Sequence, residues 1–251
     1  MIDRGDHLIV RTASNPGFWW GNFLLFGRAP RAGDAARWLG LFKDGIADVQ
    51  PESRHVTFGI NASQPLELPA DFKQAGFTWN ASTVPTMRRP QLRPLQTRPD
   101  SAQFRIATLA LPAQGPLAVE LQVASDAGEH LPVADYRVFR ERQMARYGAM
   151  ERAGLGHWFG VFAADGQLVA DCGLFSDGTL GRFQHVCTHP EWRRRGLCTA
   201  LIHTVCRHGF ETMGLDTLVI VADPSDVAIG LYESVGFVRG VSSSHLERSP
   251  P

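Results

Sequence analysis

The second half of the chain alternates between stretches with the hydrophobic period of a strand and stretches with that of a helix. Apolar residues alternate with polar ones from Phe104 to Leu109, which predicts a half-buried strand. From Asp135 to Met150 they recur every three or four positions, which predicts an amphipathic helix. The other predicted elements, in chain order, are a helix at 117–124, strands at 158–162, 167–175 and 182–188, a helix at 194–212, a strand at 217–222, a helix at 226–235 and a short strand from Phe237.

This order of elements predicts an α+β fold with a mixed central sheet flanked by helices. The helix at 194–212 connects the strands at 182–188 and 217–222. A helical connection crosses over the sheet, so we expect those two strands to be parallel.

The first hundred residues carry a fainter copy of the end of this pattern. A strand at 18–26, a helix at 34–43 and a strand at 55–60 come first. The segment Phe72-Lys73-Gln74-Ala75-Gly76-Phe77 then aligns with Tyr232-Glu233-Ser234-Val235-Gly236-Phe237. The alignment predicts an internal repeat. So short a match also arises by chance, and an unrelated small α/β module with an aromatic core remains a second interpretation.

Proline recurs every few residues between 84 and 100. Pro85, Pro90, Pro94 and Pro99 forbid a continuous helix or a central strand there, because proline has no backbone N–H to donate. We therefore expect a domain boundary near residue 100, with one domain at 1–98 and a second at 101–248.

An arginine-rich turn follows the predicted strand at 183–188. A helix that opens at Arg194 or Arg195 would direct its unpaired N–H groups and the positive end of its dipole at this turn. Gly196 has no Cβ to block close approach of the backbone to a ligand. Arginine side chains add fork-shaped donors, so the ligand that fits this turn is a diphosphate.

Two motifs in this region fall at a characteristic separation. The first is Arg193-x-x-Gly196-x-Cys198. The second is Ala228-x-x-Leu231-Tyr232-x-x-x-Gly236-Phe237. They resemble, respectively, the pyrophosphate loop and the CoA-side helix motif of the GCN5-related N-acetyltransferases, the GNAT superfamily.

The resemblance implies the GNAT (acyl-CoA N-acyltransferase) fold for residues 101–248, preceded by a partial GNAT-like domain. It also implies an enzyme that moves the acetyl group of its cosubstrate, acetyl-CoA, to a primary amine by direct attack. In the first copy, the segment 27–33 lacks the spacing of the phosphate loop and contains Pro30. The domain at 1–98 is therefore expected to bind no CoA.

The resemblance further assigns roles to residues. The backbone N–H of Val186 would meet the thioester oxygen, Val186 and Thr188 would pair with the pantetheine amides, and Tyr232 would protonate the CoA sulfur. Cys198 and Ser225 depart from the family pattern, standing where relatives have Gly or Ala and Asn. The expected cofactor-binding residues are Val186, Cys187, Thr188, Arg193, Arg194, Arg195, Gly196, Leu197, Cys198, Thr199, Ala200, Ser225 and Tyr232.

The base that accepts the amine proton is the open part of this assignment. Some relatives carry a glutamate where this chain has Arg182. Strand alternation places Gln184 on the face of Val186, so Gln184 could hold a water that takes the proton. Asp223 and Glu120 are the other candidates.

A metal site is the rival interpretation of the same strand. His185, Cys187 and His189 alternate onto its opposite face and could be three zinc ligands. A strand face covered by a helix is more often filled by packed side chains, so we expect packing there and no metal.

The composition limits the classes of binding partner. Lysine plus arginine and aspartate plus glutamate each number 25, so no net charge favours nucleic acid or an anionic membrane. The charged N-terminus and the absence of a long apolar run predict a cytoplasmic protein. The four cysteines form no CxxC pair, which fits a reducing compartment. The expected partner is an amine-bearing acceptor, with the protein a monomer or a homodimer. A non-catalytic CoA-binding regulatory or interaction module is the alternative function.

Overall fold

The computed structural model of this chain describes residues 1–61, 67–96, 99–100, 102–126 and 132–250. None of the helices in this part of the chain carries an apolar run that could span a lipid bilayer. The strands are β1 (Ile2–Asp3), β2 (His7–Val10), β3 (Phe23–Phe26), β4 (Val56–Ile60), β5 (Thr78–Thr83), β6 (Thr86–Arg88), β7 (Phe104–Leu109), β8 (Gly156–Ala163), β9 (Leu168–Asp177), β10 (Leu180–Thr188), β11 (Thr217–Val219) and β12 (Ser242–Arg248). The α-helices are α1 (Asp34–Phe42), α2 (Ala70–Gln74), α3 (Gly115–Asp126), α4 (Val133–Arg152), α5 (Leu197–Glu211) and α6 (Ala228–Val235).

These elements form two compact units. The first unit comprises Met1–Thr83 and the residues from Val241 onward, and the second unit comprises Val84–Gly240. This division differs from the predicted boundary near residue 100, because β6 lies before that point yet pairs with β11 of the second unit. The C-terminal strand belongs to the first unit, because β12 pairs with β4 and β5.

The first unit is a six-stranded sheet with the order β1-β2-β3-β4-β12-β5. Its strands β3 and β4 are parallel and are connected by α1. An aromatic core holds the helix on the sheet: Trp38 of α1 is fully buried and stacks on Phe26 at 3.6 Å between ring centroids. Phe58 and Phe72 meet the edge of the same indole.

The second unit is a six-stranded sheet with the order β6-β11-β10-β9-β8-β7. Strands β10 and β11 are parallel, as the sequence predicts. Helix α5 connects them and buries the predicted apolar positions Leu197, Leu201, Val205 and Phe210 against the sheet. The mixed sheet and its flanking helices confirm the predicted α+β class.

The two units repeat one arrangement. In each, a parallel strand pair joined by a helix is followed by a short helix that ends at a glycine with a positive φ, Gly76 at +82° and Gly236 at +127°. The residue after each glycine, Phe77 or Phe237, is buried. The predicted alignment of these two segments is therefore present in the fold.

Candidate active site

A cavity of about 930 Å³ lies in the second unit, where β10 ends and α5 begins. Helices α3, α4 and α6 complete its walls. Its lining residues are Gln122, Ser125, Asp126, Tyr136, His185, Val186, Cys187, Thr188, Trp192, Arg193, Arg194, Gly196, Leu197, Cys198, Thr199, Asp226, Val227, Ala228, Leu231 and Tyr232.

The cavity opens beside β10 because β10 and β11 separate. Their parallel pairing ends at Arg182 and Val219, so the rest of β10 has no partner from β11. On its other side, Gln184 lies opposite Gly173 and Cys187 lies opposite Asp171. Two residues of β10 therefore face one of β9, which makes a β-bulge.

The bulge interrupts the alternation of side chains that was predicted along β10. His185 adopts a φ of +40°, a left-handed conformation that interrupts the extended strand. As a result, Val186 lines the cavity but Gln184 does not. Gln184 instead accepts a hydrogen bond from the Tyr147 hydroxyl at 3.2 Å.

The arginine-rich turn is a tight loop rather than the first turn of the helix. Arg194 and Gly196 have φ values of +64° and +73°, which a right-handed helix cannot include. Helix α5 therefore begins at Leu197 and not at the predicted Arg194 or Arg195, with Gly196 as its N-cap. No acidic residue lies in its first turn, and its first three residues, Leu197, Cys198 and Thr199, line the cavity.

The side chains of this loop differ in position. Arg193 and Arg194 line the cavity, and Arg193 also donates a hydrogen bond from Nε to the Thr188 carbonyl at 3.2 Å. Arg195 does not line it, because its guanidinium lies over the Trp192 ring at 4.7 Å. Ala200 is buried in the helix behind the wall.

Two further predicted cofactor-binding residues, Tyr232 and Ser225, have different surroundings. Tyr232 lines the cavity while only 5% exposed, and burial raises the pKa of its phenol. Ser225 does not line the cavity; its hydroxyl donates to Asp223 Oδ1 at 2.6 Å in an exposed turn.

The three predicted bases all lie outside the cavity wall. Glu120 is paired with Arg137, and that guanidinium lowers the pKa of its carboxyl group. Asp223 accepts hydrogen bonds from Ser225, and Gln184 from Tyr147. The cavity thus contains none of the side chains that the sequence analysis proposed for proton removal.

The sequence analysis did not predict a buried polar network that lies behind the cavity. Asp171 of β9 is fully buried and accepts hydrogen bonds from Trp158 Nε1 at 2.9 Å, Gln122 Nε2 at 2.8 Å and Cys187 Sγ at 3.0 Å. Burial raises the pKa of Asp171 to about 6, against the effect of these hydrogen bonds. An aspartate within the apolar run 168–175 was the available signal, because an isolated acid in a buried strand needs partners.

The first unit contains a counterpart of the loop before α5, at the start of α1. Gly33, with a φ of +92°, is the N-cap of α1, as Gly196 is of α5. Here Oδ2 of Asp71 accepts hydrogen bonds from the N–H groups of Gly33 and Ala35, each at 3.0 Å. A carboxylate of the chain itself therefore occupies the anion-binding position of α1.

Residues 123–237, which contain the bulge, the arginine loop and Tyr232, match the family model described as the acetyltransferase (GNAT) family. The chain carries a GNAT acetyltransferase domain. No curated protein sequence matches the chain significantly.

Solved structures extend the likeness of fold to both units. A conserved protein of unknown function from Staphylococcus epidermidis is 13% identical, with a TM-score of 0.77 over 100% of this chain and 94% of that one. A GCN5-related N-acetyltransferase from Sphaerobacter thermophilus is 17% identical, with a TM-score of 0.62 over 86% and 68%. A tandem GNAT protein from the clavulanic acid biosynthesis pathway, solved without AcCoA, is 14% identical, with a TM-score of 0.56 over 91% and 75%. At these identities the likeness shows the fold, and the two-unit arrangement fits a tandem GNAT protein.

Proposed function

We propose that the second unit transfers the acetyl group of acetyl-CoA to a primary amine. This proposal rests on one observation: the start of α5, the end of β10 that has no partner from β11, and Tyr232 all line the same cavity. Diphosphate, pantetheine and thioester each need one of these three parts.

The diphosphate binds at the loop of Arg193 and Arg194. Loops that contain left-handed residues, as this one does at Arg194 and Gly196, can direct successive N–H groups at an anion. The dipole of the fifteen-residue helix α5 adds to this attraction, since its first turn contains no acidic residue of its own.

The pantetheine arm lies along the separated end of β10. Val186 and Thr188 offer backbone groups there without a partner strand from β11, so an extended ligand can add to this edge. The N–H of Val186, within the bulge, donates to the thioester oxygen and stabilises the charge that develops as the amine attacks.

Tyr232 protonates the leaving CoA thiolate. Its raised pKa keeps the phenol protonated throughout the neutral range, so it is always present as the acid. Because the three predicted bases lie outside the wall, the amine proton leaves to water rather than to Glu120 or Asp223.

A second candidate, the non-catalytic CoA-binding module, is favoured by that same lack of a predicted base in the cavity. The two functions differ in turnover. A thiol reagent measures the free CoA that is released from acetyl-CoA in the presence of polyamines, amino acids, aminoglycosides or peptides. We expect at least one of these amines to increase the release of CoA. Binding without release for every amine would favour the module.

The first unit binds no CoA in this proposal, because Asp71 already occupies the start of α1. Calorimetric titration with acetyl-CoA should therefore give one site per chain. Two sites per chain would contradict the assignment of the first unit.

A further inference from the structure

Three side chains with metal-binding atoms meet where β9 and β10 face each other at the bulge. The ligand atoms of Asp171, His185 and Cys187 all lie within 4.8 Å of one another. The bulge brings them together, because it places Cys187 opposite Asp171 and turns His185 out of the regular strand. This trio differs from the three residues that the alternation predicted, since His189 instead accepts a hydrogen bond from the Glu191 N–H.

The histidine of the trio has a ring nitrogen without a hydrogen-bond partner in the described part of the chain. Nε2 of His185 is shielded from solvent and has no hydrogen-bond partner among the residues that the structure describes. A shielded imidazole nitrogen without a partner costs free energy, which a metal bond would recover. Cys187 donates its thiol hydrogen to Oδ1 of Asp171, so a metal ion would replace that proton between the sulfur and the oxygen.

The surroundings of Asp171 are those of a supported metal ligand. Its Oδ2 accepts hydrogen bonds from Trp158 Nε1 and Gln122 Nε2, which fix the carboxylate and leave Oδ1 directed at Cys187. Gln122 is fixed in turn by Nε of Arg140 at 2.7 Å. Outer hydrogen bonds of this kind orient ligands and strengthen metal binding.

We propose that Asp171, His185 and Cys187 form a zinc(II) site with its fourth position open to the cavity. One thiolate, one imidazole and one carboxylate are a ligand set that suits zinc, and three protein ligands with one open position are typical of accessible zinc sites. His185 and Cys187 line the cavity while Asp171 lies behind them, so the open position faces the cavity. On binding, the Cys187 thiol loses its proton to solvent, and a water or a thiol from the cavity supplies the fourth ligand.

Cobalt(II), a spectroscopic substitute for zinc, tests this proposal on the intact, reduced and chelator-treated chain. Titration should give one cobalt per chain, with a thiolate-to-metal charge-transfer band and the visible bands of a tetrahedral ion, and zinc should abolish both. Absence of a saturable one-to-one spectrum in the unaltered chain would overturn the site, whatever the variants show. The proposal does not depend on acetyl transfer, because this readout needs no CoA and no activity.

Two cysteine substitutions make a matched pair for the same titration. Cys187→Ser keeps a hydroxyl that can donate to Asp171, so the fold is retained while the charge-transfer band is lost and cobalt affinity falls at least about 10-fold. Cys198→Ser removes another thiol that lines the cavity but lies outside the trio, and should leave the spectrum unchanged. Equal effects of the two substitutions, or loss of the band only with Cys198→Ser, would contradict the assignment.

Discussion

Leu246 of β12 lies directly opposite Phe58 of β4, although 188 positions separate them in the sequence. Both side chains are fully buried in the aromatic core of the first unit. The C-terminal strand is therefore part of the N-terminal unit, and the stability of that unit depends on the last residues of the chain.

Replacement of Leu246 by alanine should lower the free energy of unfolding by about 2 to 5 kcal/mol, because it leaves a cavity beside Phe58. Val241→Ala is the control, since that valine is 72% exposed and should change stability by less than about 0.5 kcal/mol. Urea denaturation of both variants measures the difference. Equal midpoints for the two variants would show that β12 contributes little to the first unit.

His55 should make the first unit less stable in mild acid. Burial lowers its pKa from 6.5 to about 4, while its Nε2 donates a hydrogen bond to the Asn22 carbonyl oxygen at 3.0 Å. Between those two values the unfolded chain binds a proton that the folded chain does not, so the free energy of unfolding falls as the pH falls.

From about pH 7 to about pH 5, His55 should account for a loss of about 2 kcal/mol. His55→Gln cannot take up that proton, and its stability should fall by correspondingly less over the same interval. Urea denaturation at both pH values gives the comparison. Parallel pH profiles for the two proteins would mean that His55 is not the titrating group.

Tyr232→Phe should separate catalysis from binding. It keeps the ring that packs near Phe237 and removes only the hydroxyl, so acetyl-CoA affinity should hardly change. With a general acid lost, kcat should fall about 10²-fold or more. Steady-state release of CoA, with calorimetry as the control on binding, measures both; an unchanged kcat would leave Tyr232 a packing residue.

Local patterns explain which parts of the fold the sequence predicts. The apolar face of α5 and the parallel pair β10 and β11 follow from residues that are neighbours in sequence or one connection apart. The place of β12 between β4 and β5 does not, because antiparallel pairing over so long a separation leaves no local signal.

The parts of the site that the sequence predicts are those formed by residues close together in the chain. The loop from Arg193 to Thr199 is a continuous segment whose glycine and arginines predict an anionic ligand. Gln122 and Tyr136 reach the cavity only because α3 and α4 pack over the sheet, which no short motif encodes. The bulge at His185 also escaped prediction, since it replaces strict strand alternation by a local left-handed residue.

One pair of glycines tests most directly whether the loop before α5 binds the diphosphate of acetyl-CoA. Gly196 and Gly214 have nearly the same positive φ, +73° and +67°, and an added Cβ at either would meet no atom of the described residues within 4 Å. A valine at each should therefore cost similar stability, about 1 to 2 kcal/mol of backbone strain. Only at Gly196 would the side chain stand where the diphosphate approaches the backbone.

Isothermal titration calorimetry with acetyl-CoA on folded Gly196→Val and Gly214→Val compares the two positions. We expect Gly196→Val to weaken binding at least about 100-fold, the equivalent of two or more lost charged hydrogen bonds, while Gly214→Val binds as the unaltered chain does. Equal affinities for acetyl-CoA in the two variants would contradict the assignment of the diphosphate to this loop.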